Sequence, residues 1–251
     1  VSKLAIAVNS ILVLSILSTK EYAIFSILIS TIFMSYQLSC GVLERLLITE
    51  RNLGIVTRLQ IIIIFIVPTA LFFSCYIYSF LDLIFVGYFL IGFLCLSIIQ
   101  VVRIAYQKKE KFYQFTIIEL AKNILWLILT YIGWLLSKNS AQFYIGSLVL
   151  STLPVLLICL FFLKRYIIKT SVKNSLRLFY HFKSSINFLI FKKNIIIYSV
   201  LSSVFSYVPI YCVFYLGNDE LTANYGAAMR YQAILSMVSS ALNIVLFPKL
   251  A

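Results

Sequence analysis

Long apolar runs, separated by short gaps whose positive charge falls in every second gap, constrain this chain more than any other feature. Six runs carry no charge, at 4–19, 22–43, 59–81, 83–102, 139–163 and 194–218, and two more, 112–137 and 221–248, are interrupted by isolated charges. A helix rises about 1.5 Å per residue, so roughly 20 residues cross the 30 Å or so of hydrocarbon in a bilayer. An all-α polytopic membrane protein with about eight transmembrane helices is therefore expected. The first run is short, and Lys3 and Lys20 at its ends have stems long enough to snorkel toward headgroups. Composition excludes a water-soluble fold, because 62% hydrophobic and 12% charged residues leave too little polar surface to cover one.

The charges orient the runs. With the N-terminus inside, the inner gaps hold Lys3, then Arg45, Arg51 and Arg58, then Arg103, Lys108, Lys109 and Lys111, then the eight basic residues of 164–193, and Lys249. Those are 17 of the 21 Lys and Arg residues; the outer gaps hold only Lys20 and Lys138, beside Glu21, Asp82, Asp219 and Glu220. The positive-inside rule then places both termini in the cytoplasm. The net charge of +13 reports this topology and contact with anionic lipid, not a nucleic-acid partner, since the basic residues spread along one membrane face.

Signatures of catalysis are missing. Cys40, Cys75, Cys95, Cys159 and Cys212 stand singly in or at the ends of apolar runs, which fits small packing residues, and no cofactor is expected. No GxxxxGK loop occurs, and the one histidine, His181, sits in the basic gap on the side opposite Asp82 and Asp219. The outer gaps are too short for an extramembrane active site. The first run, followed at once by Lys20, Glu21 and a second run, reads as an uncleaved signal anchor.

Polar residues inside the runs recur at helical spacing. Ser26, Ser30, Gln37 and Gly41 share one face of the second run; Ser97, Gln100, Arg103 and Gln107 of the fourth; Thr116, Glu119, Asn123, Trp126 and Thr130 of the fifth. Ser199, Ser202, Ser203 and Ser206 mark the seventh, and Gln232, Ser236, Ser239, Ser240 and Asn243 the eighth, while the first offers Asn9. Small hydroxyl residues let helices pack closely, which explains any single stripe. Five stripes together favour a hydrated cavity. Ionisable groups at membrane depth are costly enough to need a role. Lys122 lies eleven residues from Lys111 and sixteen from Lys138, and Arg230 ten beyond Glu220. Glu119 and Lys122 can pair on one face, and Arg230 can reach back to Asp219 or Glu220. Alternatively, Lys122 and Arg230 line a cavity and attract an anionic substrate group, for which Arg is especially suited when the group is phosphate.

The longest hydrophilic stretch, 164–193, is patterned too. Ile168, Val172, Leu176, Phe179, Ile186 and Ile190 approximate a helical stripe with Lys169, Lys173, Arg177 and Lys183 elsewhere, as in a basic amphipathic helix on anionic phospholipid. Its place after six runs makes it a linker between a six-helix lobe, 1–163, and the first two helices of a second lobe, 194–251. A weak repeat agrees: SILSTKEYAIF at 15–25 and FYLGNDELTANYGAA at 214–228 each place an acidic turn and then a Tyr ahead of a run.

The LSTKEYAIF turn, the Gly41 region, NDELTANYGAAMRYQAI and the terminal LNIVLFPKLA together make the chain resemble the bacterial polysaccharide or O-antigen flippases of the multidrug/oligosaccharidyl-lipid/polysaccharide exporter superfamily. The resemblance implies two six-helix lobes around a cavity walled by helices one, two, four, five, seven and eight. It also implies transfer of an undecaprenyl-pyrophosphate-linked oligosaccharide from the inner to the outer leaflet, in the bacterial cytoplasmic membrane and alongside other polysaccharide-assembly membrane proteins. On that reading Lys122, Arg230, Glu119, Asn123, Asn9, Gln37, Gln100 and Arg103 face the anionic head group, and the chain, at eight runs, corresponds to a truncated member. A cation-coupled drug antiporter would want more intramembrane carboxylates than Glu119 alone. A polysaccharide polymerase would want catalytic groups, and a non-transporting membrane subunit needs the stripes only for packing.

Overall fold

The computed structural model describes residues 2–41, 55–108, 112–171 and 178–232. The protein is all-helical, with no strand among the described residues. In chain order the helices are α1 (Ser2–Ile16), α2 (Thr19–Tyr36) with a π-helical turn (Gln37–Gly41) at its end, α3 (Ile55–Tyr78), α4 (Leu83–Lys108), α5 (Phe112–Leu135) and α6 (Ala141–Ser171). Then come α7 (Leu178–Phe191), α8 (Lys193–Phe205), α9 (Val208–Leu216) and α10, 219–232.

Four segments are long and apolar enough to cross a membrane: Thr19–Cys40, Leu83–Arg103, Thr116–Leu135 and Ala141–Phe161. A fifth arises if the bent pair Ser185–Phe191 and Ile196–Phe205 is one span. That is the make-up of an α-helical membrane protein, with fewer spans among the described residues than the eight expected. The shortfall has local causes. Helix α1 has only 15 residues, and the seventh run breaks at residues 206–207 just before Pro209, where a helix cannot continue its hydrogen bonding. The eighth run passes beyond residue 232, so Ser236, Ser239, Ser240, Asn243 and LNIVLFPKLA lie outside the described residues, as do Arg45, Arg51, Lys109, Lys111, Lys173, Arg177 and Lys249.

Within the basic stretch 164–193, two helical segments are described, the end of α6 and all of α7 up to Phe191. Helix α6 runs on through Lys164, Arg165 and Lys169 to Ser171, because nothing there breaks a helix. Helix α7 packs along α3.

Internal contacts divide the chain into two compact units, whose cuts fall inside helices. The first comprises Val1–Ile29, Glu119–Ser151 and Ile210–Ala251; the second comprises Ser30–Ile118 and Thr152–Pro209.

Turn chemistry organises the first unit. Ser18 caps α2, its Oγ accepting from the Glu21 N–H at 3.4 Å, and Asn218 caps α10, its Oδ1 accepting from the Leu221 N–H at 2.8 Å. Both turns thus start the next helix with a polar side chain that caps the N–H three residues on. The Glu21 carboxylate in turn accepts from the Ala141 N–H at 2.6 Å, satisfying an orphan donor at the start of α6, while the Ser18 N–H donates to Asn139 Oδ1 at 2.9 Å. Helix α5 closes in a Schellman motif: the Lys138 N–H reaches the Gly133 carbonyl at 3.0 Å and the Ser137 N–H that of Trp134 at 3.1 Å. Ser137 holds the left-handed position, at φ 49°, that glycine usually fills. Gly133 is needed for contact with the Phe143 ring, which a Cβ would strike.

The second unit packs around Cys40 and Ile61, surrounded by Tyr36, Phe65, Ile66, Val101, Phe188, Leu189 and Ile196. Phe73 of α3 lies 6.3 Å from Phe89 of α4, and Phe89 stacks on Phe93 at 5.7 Å. Bulky apolar residues such as Leu71, Phe72, Leu157 and Phe161 are exposed, the outward face a bilayer would cover.

Candidate functional site

Helix α2 is the most buried of the candidate spans, and beside apolar residues such as Phe25, Ile27, Leu28 and Ile32 it buries five hydroxyl side chains: Ser26, Ser30, Thr31, Ser35 and Ser39. In the first unit its Ser26 meets Gly226 of α10. A Cβ on Gly226 would strike Ser26 Oγ and lie 2.6 Å from Ser26 Cβ. Each of the two residues stands eight positions beyond its helix cap, Ser18 or Asn218. Positions equally far from the two caps thus meet, in an approach close enough to require glycine on one side.

One turn further along α10, Arg230 lines a recess with Ser10, Ile11, Leu14, Tyr22, Ala227 and Tyr231. Its volume of about 10 Å³ is close to what one water molecule needs. Arg230 is half-buried and Tyr22 is 2% exposed. Ser10, on α1, back-bonds to the Ile6 carbonyl at 2.9 Å.

Five of the eight residues selected from the sequence belong to this unit. Asn9 is wholly buried, and neither its Oδ1 nor its Nδ2 has a hydrogen-bond partner. On α5, Asn123 is buried and Glu119 and Lys122 are half-buried. Arg230 alone of the five lines the recess. Three further groups complete this polar interior: Trp126 Nε1, Thr130 Oγ and the Tyr144 hydroxyl are buried without a hydrogen-bond partner. Trp126 and Thr130 were visible in the stripe of the fifth run. Tyr22, Ser10 and Tyr231 were missed as site residues, although the repeat had marked Tyr22 as the aromatic after its turn.

The other three predicted residues belong to the second unit and are arranged differently. Gln37 is exposed at the start of the π turn. Gln100 is buried and accepts a 2.8 Å hydrogen bond from the Arg103 guanidinium. Cys40, at the end of the π turn, donates through Sγ to the Ser97 carbonyl at 3.9 Å. This ties α2 to the polar stripe of α4. Ser35 and Ser39 back-bond to the carbonyls of Thr31 and Ser35, at 2.7 and 2.9 Å, which loosens the helix ladder just ahead of the π turn.

Among the described residues no group of three His, Cys, Asp or Glu side chains is placed to hold a metal ion. No protein-family model, no curated protein and no solved structure matches this chain.

Proposed function

We propose that the chain is part or all of a flippase that carries an undecaprenyl-pyrophosphate-linked oligosaccharide from the inner to the outer leaflet of a bacterial cytoplasmic membrane by alternating access. It does so without catalysis. In this reading eight helices span the membrane, both termini are cytoplasmic, the basic 164–193 segment meets anionic phospholipid, and other polysaccharide-assembly membrane proteins are partners. The observation that carries it is the first unit's interior: a half-buried Arg230 beside Tyr22 and Ser10, in a unit whose Asn9, Trp126, Thr130 and Tyr144 hold hydrogen-bonding capacity the protein leaves open. A buried polar group without a partner costs stability, so several together call for a polar occupant. The arginine supplies the charge a pyrophosphate needs, and Lys122 on α5 adds a second.

The recess holds about one water, so it must widen before a sugar-bearing head group enters. Its size favours a second reading, in which Arg230 and the stripes pack a membrane subunit that transports nothing. Surface polysaccharide in a flippase-deficient strain separates the two. In the natural gene product, Arg230→Ala and Lys122→Ala are each expected to lower flipping about 10- to 100-fold, corresponding to a lost charge-assisted contact of about 1–3 kcal/mol. Membrane abundance should stay normal. Full flipping by the double variant sinks the assignment.

A further inference from the structure

Helices α7 and α8 meet in an elbow at Lys192. Ser185–Phe191 and Ile196–Phe205 diverge by 76°, and α8 and α9 together carry the apolar run onward to Leu216. The inner side of the elbow is fully accounted for: Phe188 and Leu189 from one limb and Ile196 from the other pack against Cys40 and Ile61. Its outer side is not. Ile186, Ile190 and Phe191 are exposed, Phe191 by 82% of its surface; Ile186 and Ile190 lie four residues apart on one helix face, and Phe191 ends the helix beside them. Lys192 and Lys193 follow at the vertex, with the Lys192 ammonium 5.4 Å from the centre of the Phe191 ring.

Water is a poor neighbour for an 82%-exposed phenylalanine beside two exposed isoleucines, yet a neutral apolar partner is equally unsuited to the two lysines beside them and to the basic sequence that leads up to them. From Lys164 to Lys193 the chain has eight Lys and Arg residues and no Asp or Glu. An apolar wedge rimmed by cations, at the point where one helix turns sharply into an apolar run, matches a single kind of surface: the interface of a bilayer containing anionic lipid. We infer that the elbow at 186–193 is a seat for anionic phospholipid. Ile186, Ile190 and Phe191 enter the acyl boundary, and Lys192 and Lys193 hold the lipid phosphate. The inference rests on the membrane part of the reading above and is independent of any cargo.

The test uses the whole chain in bilayer discs containing dibrominated phosphatidylglycerol or dibrominated phosphatidylcholine. Phe191→Trp reports bromine contact, after subtraction of the signal that Trp126 and Trp134 give in the parent chain. Ile190→Trp gives the same reading if Phe191→Trp does not fold. The expected result is quenching by both lipids with a preference for phosphatidylglycerol of at least fivefold, roughly the effect of one lysine near a charged surface. Adding Lys192→Gln and Lys193→Gln should bring the preference close to one. Quenching no greater than in the parent chain, equal quenching by the two lipids, or a preference that survives both glutamines would each overturn the proposal. None of these results depends on flipping, so a failed seat and a failed flippase give different outcomes.

Discussion

The two units differ in how far the polar side chains inside an apolar bundle satisfy one another, although Ser147 and Ser151 of the first bond back to their own helix as the serines of the second do. In the second unit most of them answer one another: Ser35 and Ser39 bond back along α2, Cys40 reaches the Ser97 carbonyl, and Arg103 donates to Gln100. The Ser97 hydroxyl is an exception. In the first unit Asn9, Trp126, Thr130 and Tyr144 keep unused donors and acceptors in the interior, and a guanidinium lines the recess. Self-satisfied polar groups add specificity to packing, whereas unsatisfied ones lower stability unless something else satisfies them. On the proposed flippase reading, the first unit is where a polar cargo would be held.

The largest effect on this difference should come from Gly226→Leu, which forces a side chain into the space held by Ser26. Overpacking of a fixed contact costs up to about 3 kcal/mol, so a marked fall in thermal stability in detergent is expected. Ser26→Gly in the same chain should recover part of it. Equal losses with and without Ser26→Gly would mean that the helices do not meet at these positions.

A change of the opposite sign is expected at Asn9. Asn9→Leu replaces an amide with no partner by an apolar group of similar size, and stability should rise by about 2 kcal/mol. If Asn9 serves the cargo, transport falls as the protein gains stability. Gln100→Leu, by contrast, removes the acceptor for Arg103 and should destabilise. A destabilised Asn9→Leu chain would show that the amide is satisfied in the membrane and would remove it from the open set.

Much of the scaffold was legible because its determinants are local. Run length alone located α2, α4, α5 and α6, and the fifteen-residue α1 follows from a short first run. The repeat marked both capped turns from sequence alone. Its consequence was not readable, since contact between Ser26 and Gly226 depends on how helices far apart in sequence cross. The same holds for Ser10, Tyr22 and Tyr231 around Arg230: each is an ordinary residue in an apolar run until another helix brings it to the recess. Stripe logic also grouped Gln37, Gln100 and Arg103 with Lys122 and Arg230, because helical periodicity selects a face without saying which neighbour that face meets. The π turn and the elbow at Lys192 escaped notice for a related reason. The π turn and the first limb of the elbow both pack against α3, a contact that sequence pattern does not show.

A smaller effect tests the staple at the turn end of the first unit. Glu21→Ala removes the acceptor for the Ala141 N–H, and loss of a helix-capping oxygen costs about 1 kcal/mol. Glu21→Gln keeps an oxygen in place and should lose less, with the gap between the two variants reading the worth of the cap itself. Amide hydrogen exchange at the start of α6 is the sensitive measurement, because fraying there precedes any global change. Equal protection in all three chains would mean that the carboxylate adds nothing to the helix start.

The smallest expected effect is a gain. Ser137 carries a side chain at φ 49°, a region where only glycine is free of a clash between Cβ and the backbone, in a motif whose two hydrogen bonds do not involve that side chain. Ser137→Gly should relieve up to about 1 kcal/mol of strain, offset by the greater flexibility glycine has when unfolded. A net rise of a few tenths of a kcal/mol in detergent melting is expected. Glu21 and the Schellman turn flank the same α5–α6 connection, so Ser137→Gly combined with Glu21→Ala offers a direct reading of rigidity there. If glycine's gain disappears once the Glu21 cap is lost, the connection is held as one structure by both turns; simple additivity would mean that each helix end is stabilised on its own.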